Sequence, residues 1–232
     1  MRSGTVVVLS IVAISVLVRL HTWVRWASSG FDIGDVLLVS VLVALALARG
    51  DPVVALGIVG PMNAGAVMGA IAVYVVASMA GDRCRAGLLR ECGLWVERAG
   101  VSAGGAGQAL VHSPRRLRRM RAAAFTASGA LLEEVLFRGL LQRWLAVVLG
   151  PTLAVPLQAV VFGLVHAVPM AVAGAPRALV AYSMLMPTVT GAALGVLARH
   201  GLVYAWMVHW ALNYRAAVKE VRSEASRGAA IG

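Results

Sequence analysis

Residues 122–148 read AAAFTASGALLEEVLFRGLLQRWLAVV. As a helix rising about 1.5 Å per residue, this stretch is long enough to cross the roughly 30 Å hydrocarbon core of a bilayer. Most of it is apolar, but its centre holds Glu133, Glu134 and Arg138. Glu133 lies 12 residues beyond Arg121, which places it about 18 Å along the helix, near the middle of the membrane. A carboxylate at that depth costs at least about 2.5 to 3.5 kcal/mol, so two in succession need a reason.

The surrounding chain has the composition of a membrane protein. Of its 232 residues, 60% are hydrophobic and 13% are charged, and the mean hydropathy is +0.83. The 21 Lys plus Arg against 10 Asp plus Glu leave a net charge of +11. Such a chain is too apolar for a soluble nucleic-acid binder, a disordered basic tail or a disulfide-rich secreted module. Charge-free runs predict spans at about 4–20, 34–48, 52–80, 122–148, 152–168, 177–198 and 201–216. The expected fold is therefore an all-α polytopic transmembrane bundle of about seven spans, eight being possible. Gly60-Pro61 predicts a kink or a re-entrant start in the third run, and Pro187 a kink in the sixth. The first run resembles a signal-peptide core, but no small-residue cleavage site precedes Arg19, Trp23 and Arg25, so it is read as an uncleaved span.

Charge orients the bundle. Residues 82–121 carry nine Arg against Asp82, Glu91 and Glu97, and the positive-inside rule makes this loop cytoplasmic. Threading onward puts the tail with Arg215, Lys219, Arg222 and Arg227 on the same side. Within the loop, Leu88, Leu89, Cys92, Trp95 and Val96 share one helical face, the pattern of a short helix lying in the membrane interface. The Gly-rich residues Ala99 to Gly107 follow as a linker. The Arg115–Arg121 cluster suits anionic lipid headgroups, and no nucleic-acid partner is expected. Cys84 and Cys92 fall in this loop, where thiols stay reduced, and no Cys/His metal spacing is present. One Lys against 20 Arg, with the Ala and Val excess, suggests GC-rich coding and a bacterial inner membrane. The chain thus divides into N-terminal transmembrane helices (1–81), a basic loop (82–121), a core (122–216) and a cytoplasmic tail (217–232).

Between residues 122 and 214 the acidic residues are Glu133 and Glu134. On an α-helix Arg138 lies one turn above Glu134 and about 40° round from it, but about 140° from Glu133. Glu134 has a built-in counter-ion, and Glu133 points elsewhere. Gly139 allows a neighbouring helix to approach closely. The next span carries Phe162 and His166 one turn apart, and the last carries His209 and Asn213 one turn apart. Singly, each set is ordinary interhelical hydrogen bonding or a structural ion pair. Jointly, Glu133, His166 and the His209/Asn213 pair supply a general base, its partner and two oxyanion donors. An unpaired carboxylate in a dry site takes a proton readily near neutral pH.

Glu133-Glu134-Val135-Leu136-Phe137-Arg138, then Phe162-xxx-His166, then His209-xxx-Asn213 resembles the EExxxR, FxxxH and HxxxN signature of the CAAX prenyl protease and bacteriocin-processing family, the CPBP or Abi intramembrane proteases. The resemblance covers roughly residues 122–216 and implies a four-helix catalytic core there. It implies that Glu133 activates a water with His166, that Glu134 and Arg138 are a structural pair, and that His209 and Asn213 stabilise the oxyanion. The family has also been called metalloprotease, and Glu133, His166 and His209 form a His2Glu set of the kind that holds zinc. There is no HExxH, and one carboxylate with its water accounts for the chemistry, so no cofactor is favoured and zinc is the alternative. The expected function is an intramembrane endopeptidase acting on a membrane-anchored peptide or protein, with membrane lipids as its other partners. A non-catalytic bacteriocin-immunity-type scaffold and an ion-coupled transporter with a Glu133–His166–His209 relay are the competing classes.

Overall fold

A computed structural model describes residues 57, 58, 60, 63–91 and 115–228. Among these residues there is no strand, and the helices are α1 (Ala64–Glu91), α2 (Arg115–Glu134), α3 (Arg143–Leu149), α4 (Pro151–Val172), α5 (Arg177–His200) and α6 (Leu202–Gly228). Between α2 and α3, without interruption, lies a π-helical segment, Val135–Gln142. The all-α expectation holds for the described residues. Among the described residues, three helical stretches are long and apolar enough to cross a membrane: Ala64–Cys84, Pro151–Val172 and Arg177–His200. The spans expected at 4–20 and 34–48, the linker at 99–107 and Cys92 lie outside the described residues.

One expectation is corrected. α1 starts at Ala64, just past the Gly60-Pro61 at which a kink or re-entrant start is expected, and the Asn63 side-chain oxygen accepts the Ala66 N–H at 3.1 Å. This is the usual work of an N-cap. At its other end α1 continues to Glu91, and residues 92–98, the rest of the expected interfacial helix, lie outside the described residues. The correction concerns 122–148, read as α-helix throughout: the eight residues after the glutamate pair are π-helical. A π turn hydrogen-bonds i to i+5 and widens the helix, a feature frequent at functional sites. Pro187 sits inside α5 as expected; the Thr188 and Thr190 hydroxyls donate to the Met184 and Met186 carbonyls at 2.8 and 2.9 Å.

The helices are registered by a few specific contacts. The indoles of Trp206 and Trp210, stacked at 5.7 Å, donate to the Ala127 and Ala123 carbonyls of α2 at 3.0 and 3.1 Å, which makes α2 and α6 antiparallel. Gly163 lets α4 press on α5: a Cβ there would meet the Met184 carbonyl at 2.5 Å as well as the Thr188 hydroxyl. At the start of α6, the Leu202 and Val203 N–H groups donate to the Gly57 and Ile58 carbonyls at 2.8 and 3.3 Å. These are N–H groups that a helix cannot satisfy by itself. One apolar cluster (Leu132, Leu136, Phe137, Leu141, Phe162, Leu202) packs around the π segment, and a second (Val67, Tyr74, Leu194, Leu197, Ala205) joins α1 to α5 and α6.

Candidate active site

The site is built at the join between α2 and the π segment. Glu134 and Arg138 are 0% and 1% exposed, and Arg138 Nη1 donates to Glu134 Oε1 at 2.9 Å, the pair that the spacing predicted. Arg138 also donates from Nη2 to the Gly191 carbonyl at 3.3 Å and stands 4.3 Å over the Phe162 ring. Desolvated cation–π contacts of that kind are worth about 2 kcal/mol. The guanidinium is thus fixed from three helical segments at once.

His209 is the hub of the two carboxylates. Its Nδ1 lies 2.7 Å from Glu134 Oε1 and its Nε2 lies 3.6 Å from Glu133 Oε2. Sequence spacing paired this imidazole with Asn213 alone, four residues along α6, because a contact between α6 and α2 leaves no trace in local spacing. The stacked tryptophans on either side of His209 set that contact. Glu133, with a side chain 12% exposed, is the more open of the two carboxylates. His166 Nδ1 lies 2.8 Å from the Phe162 carbonyl; an oxygen there can only accept, so Nδ1 carries the proton and a neutral ring has its lone pair on Nε2. The Phe162 ring stands edge-on to His166 at 4.5 Å and to His209 at 6.3 Å, spacing the two imidazoles.

A cavity of about 420 Å³ opens beside this cluster, and His166, His209 and Asn213 all line it. Tyr74 of α1 lines it too, its ring 6.5 Å from that of His209. The structure therefore brings Glu133, Glu134, Arg138 and His209 into direct contact and sets His166 and Asn213 on the adjoining cavity wall. Among the described residues no three His, Cys, Asp or Glu side chains are placed to hold a metal ion, Glu133, His166 and His209 included.

Sequence reasoning missed a second tier of polar residues. Gln142 donates to the Gly195 carbonyl at 2.9 Å and Gln158 to the Gly191 carbonyl at 2.9 Å, and both glutamines are buried. Glu134, Arg138 and Gln142 recur every four residues, and the last two reach the Gly191 and Gly195 carbonyls of α5. That small-xxx-small spacing was legible as a close-packing motif, and a Cβ on Gly191 would come within 3.3 Å of Arg138 Nη2.

Residues 117–215 match a protein-family model. The matching family model is described as Type II CAAX prenyl endopeptidase Rce1-like, and it is consistent with the CPBP resemblance carried by the motifs. No curated protein and no solved structure shows significant similarity to the chain. The Rce1-like segment contains Glu133, Glu134, Arg138, His166, His209 and Asn213. The family it matches is described as a prenyl endopeptidase family, and the described residues include three helices long and apolar enough to cross a membrane.

Proposed function

We propose that this protein is an intramembrane endopeptidase that hydrolyses a peptide bond in a membrane-anchored peptide or protein, using a water activated by Glu133. The observation that carries the reading is His209 held between both carboxylates at the wall of a cavity that His166 and Asn213 share. In this mechanism the peptide carbonyl lies in the cavity, Glu133 takes a proton from water, and the water oxygen attacks the carbonyl carbon. His166 Nε2 accepts a hydrogen bond from the same water and orients it. The carbonyl oxygen becomes an oxyanion. Protonated on both nitrogens, His209 donates one N–H to Glu134 and the other to that oxyanion, beside the Asn213 amide. When the C–N bond breaks, Glu133 returns its proton to the leaving amine, and the carboxylic acid formed passes its remaining proton to that amine, so the products are a carboxylate and an ammonium group.

Glu134 and Arg138 act as positioning residues. Glu134 fixes the imidazole of His209, and Arg138 fixes Glu134 against α5. The full bundle in this proposal has seven spans with a four-helix core at 122–216, in a bacterial inner membrane, with the 82–121 loop and the C-terminus cytoplasmic. The pairing of Asp82 with Lys219 at 2.6 Å supports a common side for those two segments. The test is cleavage of membrane-anchored reporter peptides by protein in nanodiscs. Glu133→Gln and His166→Ala should each abolish product while the variants stay folded and inserted. Turnover by either at the wild-type rate would overturn the proposal.

A further inference from the structure

Two aromatic rings stand edge-on to the His209 imidazole, Phe162 at 6.3 Å and Tyr74 at 6.5 Å. Both line the cavity beside His209 and Asn213, and they differ by one hydroxyl. Tyr74 is 4% exposed, and its ring packs with Val67, Leu194, Leu197 and Ala205 where α1 meets α5 and α6. A phenylalanine would fill that apolar setting equally well. A buried tyrosine hydroxyl normally finds a partner. Tyr182, the other tyrosine on the cavity wall, follows that rule by donating to the Gly81 carbonyl at 3.1 Å. Among the described residues no hydrogen bond joins the Tyr74 hydroxyl to a side chain or to the backbone. The sealed side-chain atoms that lack a partner are Glu134 Oε2, Arg138 Nε, Gln142 Oε1 and Gln158 Oε1. Tyr74 Oη is not one of them, so this unpartnered hydroxyl opens on the cavity that its residue lines.

The hydrolytic scheme selects the atom that this donor meets. A peptide carbonyl oxygen offers two lone pairs, and His209 and Asn213 take both. The tetrahedral oxyanion offers a third, so a further donor finds its acceptor only as negative charge develops. We propose that Tyr74 is a catalytic residue whose hydroxyl donates the third hydrogen bond to the oxyanion, alongside His209 and Asn213. The phenol keeps its proton throughout: it donates a hydrogen bond and transfers nothing. Because the ring is already packed between α1, α5 and α6, the donor stands ready before the charge appears and costs no reorganisation when it does. Tyr74 precedes the Rce1-like segment, which begins at residue 117, so α1 takes part in the chemistry as well as in the packing. This assignment rests on the peptidase reading of the cavity.

The test uses full-length protein in nanodiscs. In cleavage assays Tyr74→Phe should lower kcat about 100-fold and leave KM within about twofold, the signature of a contact made only in the transition state. Binding is measured in the Glu133→Gln background with an apolar fluorescein-labelled peptide and with its phosphinate analogue, whose tetrahedral anionic centre mimics the intermediate. Tyr74→Phe should weaken the phosphinate about 100-fold and leave the amide peptide unchanged, which also reports that the variant is folded. 4-Aminophenylalanine at position 74 restores an N–H donor and should recover phosphinate affinity. Equal weakening of both ligands makes the hydroxyl a ground-state contact and overturns the proposal. Unchanged affinity for both makes Tyr74 a packing ring and also overturns it. A phosphinate preference that depends on Tyr74, without wild-type cleavage, supports the donor and counts against the peptidase reading. Cleavage by Tyr74→Phe at the wild-type rate overturns the donor and leaves the peptidase reading standing.

Discussion

Replacing Arg138 by Met removes the counter-ion of a carboxylate that has no exposed surface. The side chain gives up the 2.9 Å bond to Glu134, the 3.3 Å bond to the Gly191 carbonyl and the 4.3 Å contact with Phe162. Breaking a buried pair from one side costs about 3 to 5 kcal/mol, chiefly because the surviving charge is stranded. Glu134 keeps His209 at 2.7 Å, which places the expected loss at the lower end, about 3 kcal/mol. Removing both charges with Glu134→Gln and Arg138→Met strands nothing, so the double variant should be more stable than the Arg138→Met single variant. The assay is equilibrium unfolding of the wild type, both single variants and the double in one detergent, analysed as a double-mutant cycle. A coupling energy within about 0.5 kcal/mol of zero would refute the reasoning, since it would mean that the two side chains contribute independently despite their contact.

Other consequences are equally direct. Asn213→Ala should lower kcat about 100- to 1,000-fold with little change in KM, as for the loss of an oxyanion donor; a KM effect alone would move Asn213 to substrate binding. Gly163→Ala should destabilise the α4–α5 contact or force the helices apart, because the Met184 carbonyl stands 2.5 Å from the new methyl; unfolding measurements would expose an unaffected variant. Metal chelation should leave cleavage intact, and loss of activity restored by zinc would replace the glutamate mechanism with a metal-dependent one. Paired Trp206→Phe and Trp210→Phe keep the stacked rings but delete the N–H donors to α2; activity should fall more than stability, as His209 loses its register against Glu133 and Glu134.

The local features of the site were legible in the sequence. The i,i+4 reach of Arg138 to Glu134 and the one-turn spacings of Phe162 with His166 and of His209 with Asn213 follow from helix geometry, and the structure keeps them on shared faces. Helices also end at Gly150 and Gly201, both at positive φ, a backbone conformation that glycine adopts freely. What could not be read was anything that depends on which helices touch. His209 reaches Glu134 across 75 residues, and Gln142 and Gln158 find their acceptors on α5, none of which a one-dimensional pattern records. The π segment was hidden for a different reason. Its sequence, VLFRGLLQ, is a good α-helix by propensity, and tertiary packing against buried polar partners overrides so weak a preference.

The contact of Gly57 and Ile58 with the start of α6 bears on what the smallest working protein can be. The Rce1-like match begins at residue 117, which invites cutting the chain down to that half. Yet the carbonyls that cap the helix bearing His209 and Asn213 come from residues 57 and 58, and Asp82 and Tyr74 are supplied by α1. A fragment that begins at α2 would leave two backbone N–H groups of α6 without these acceptors. The start of the helix that bears His209 and Asn213 is therefore finished by residues that lie outside the matched segment.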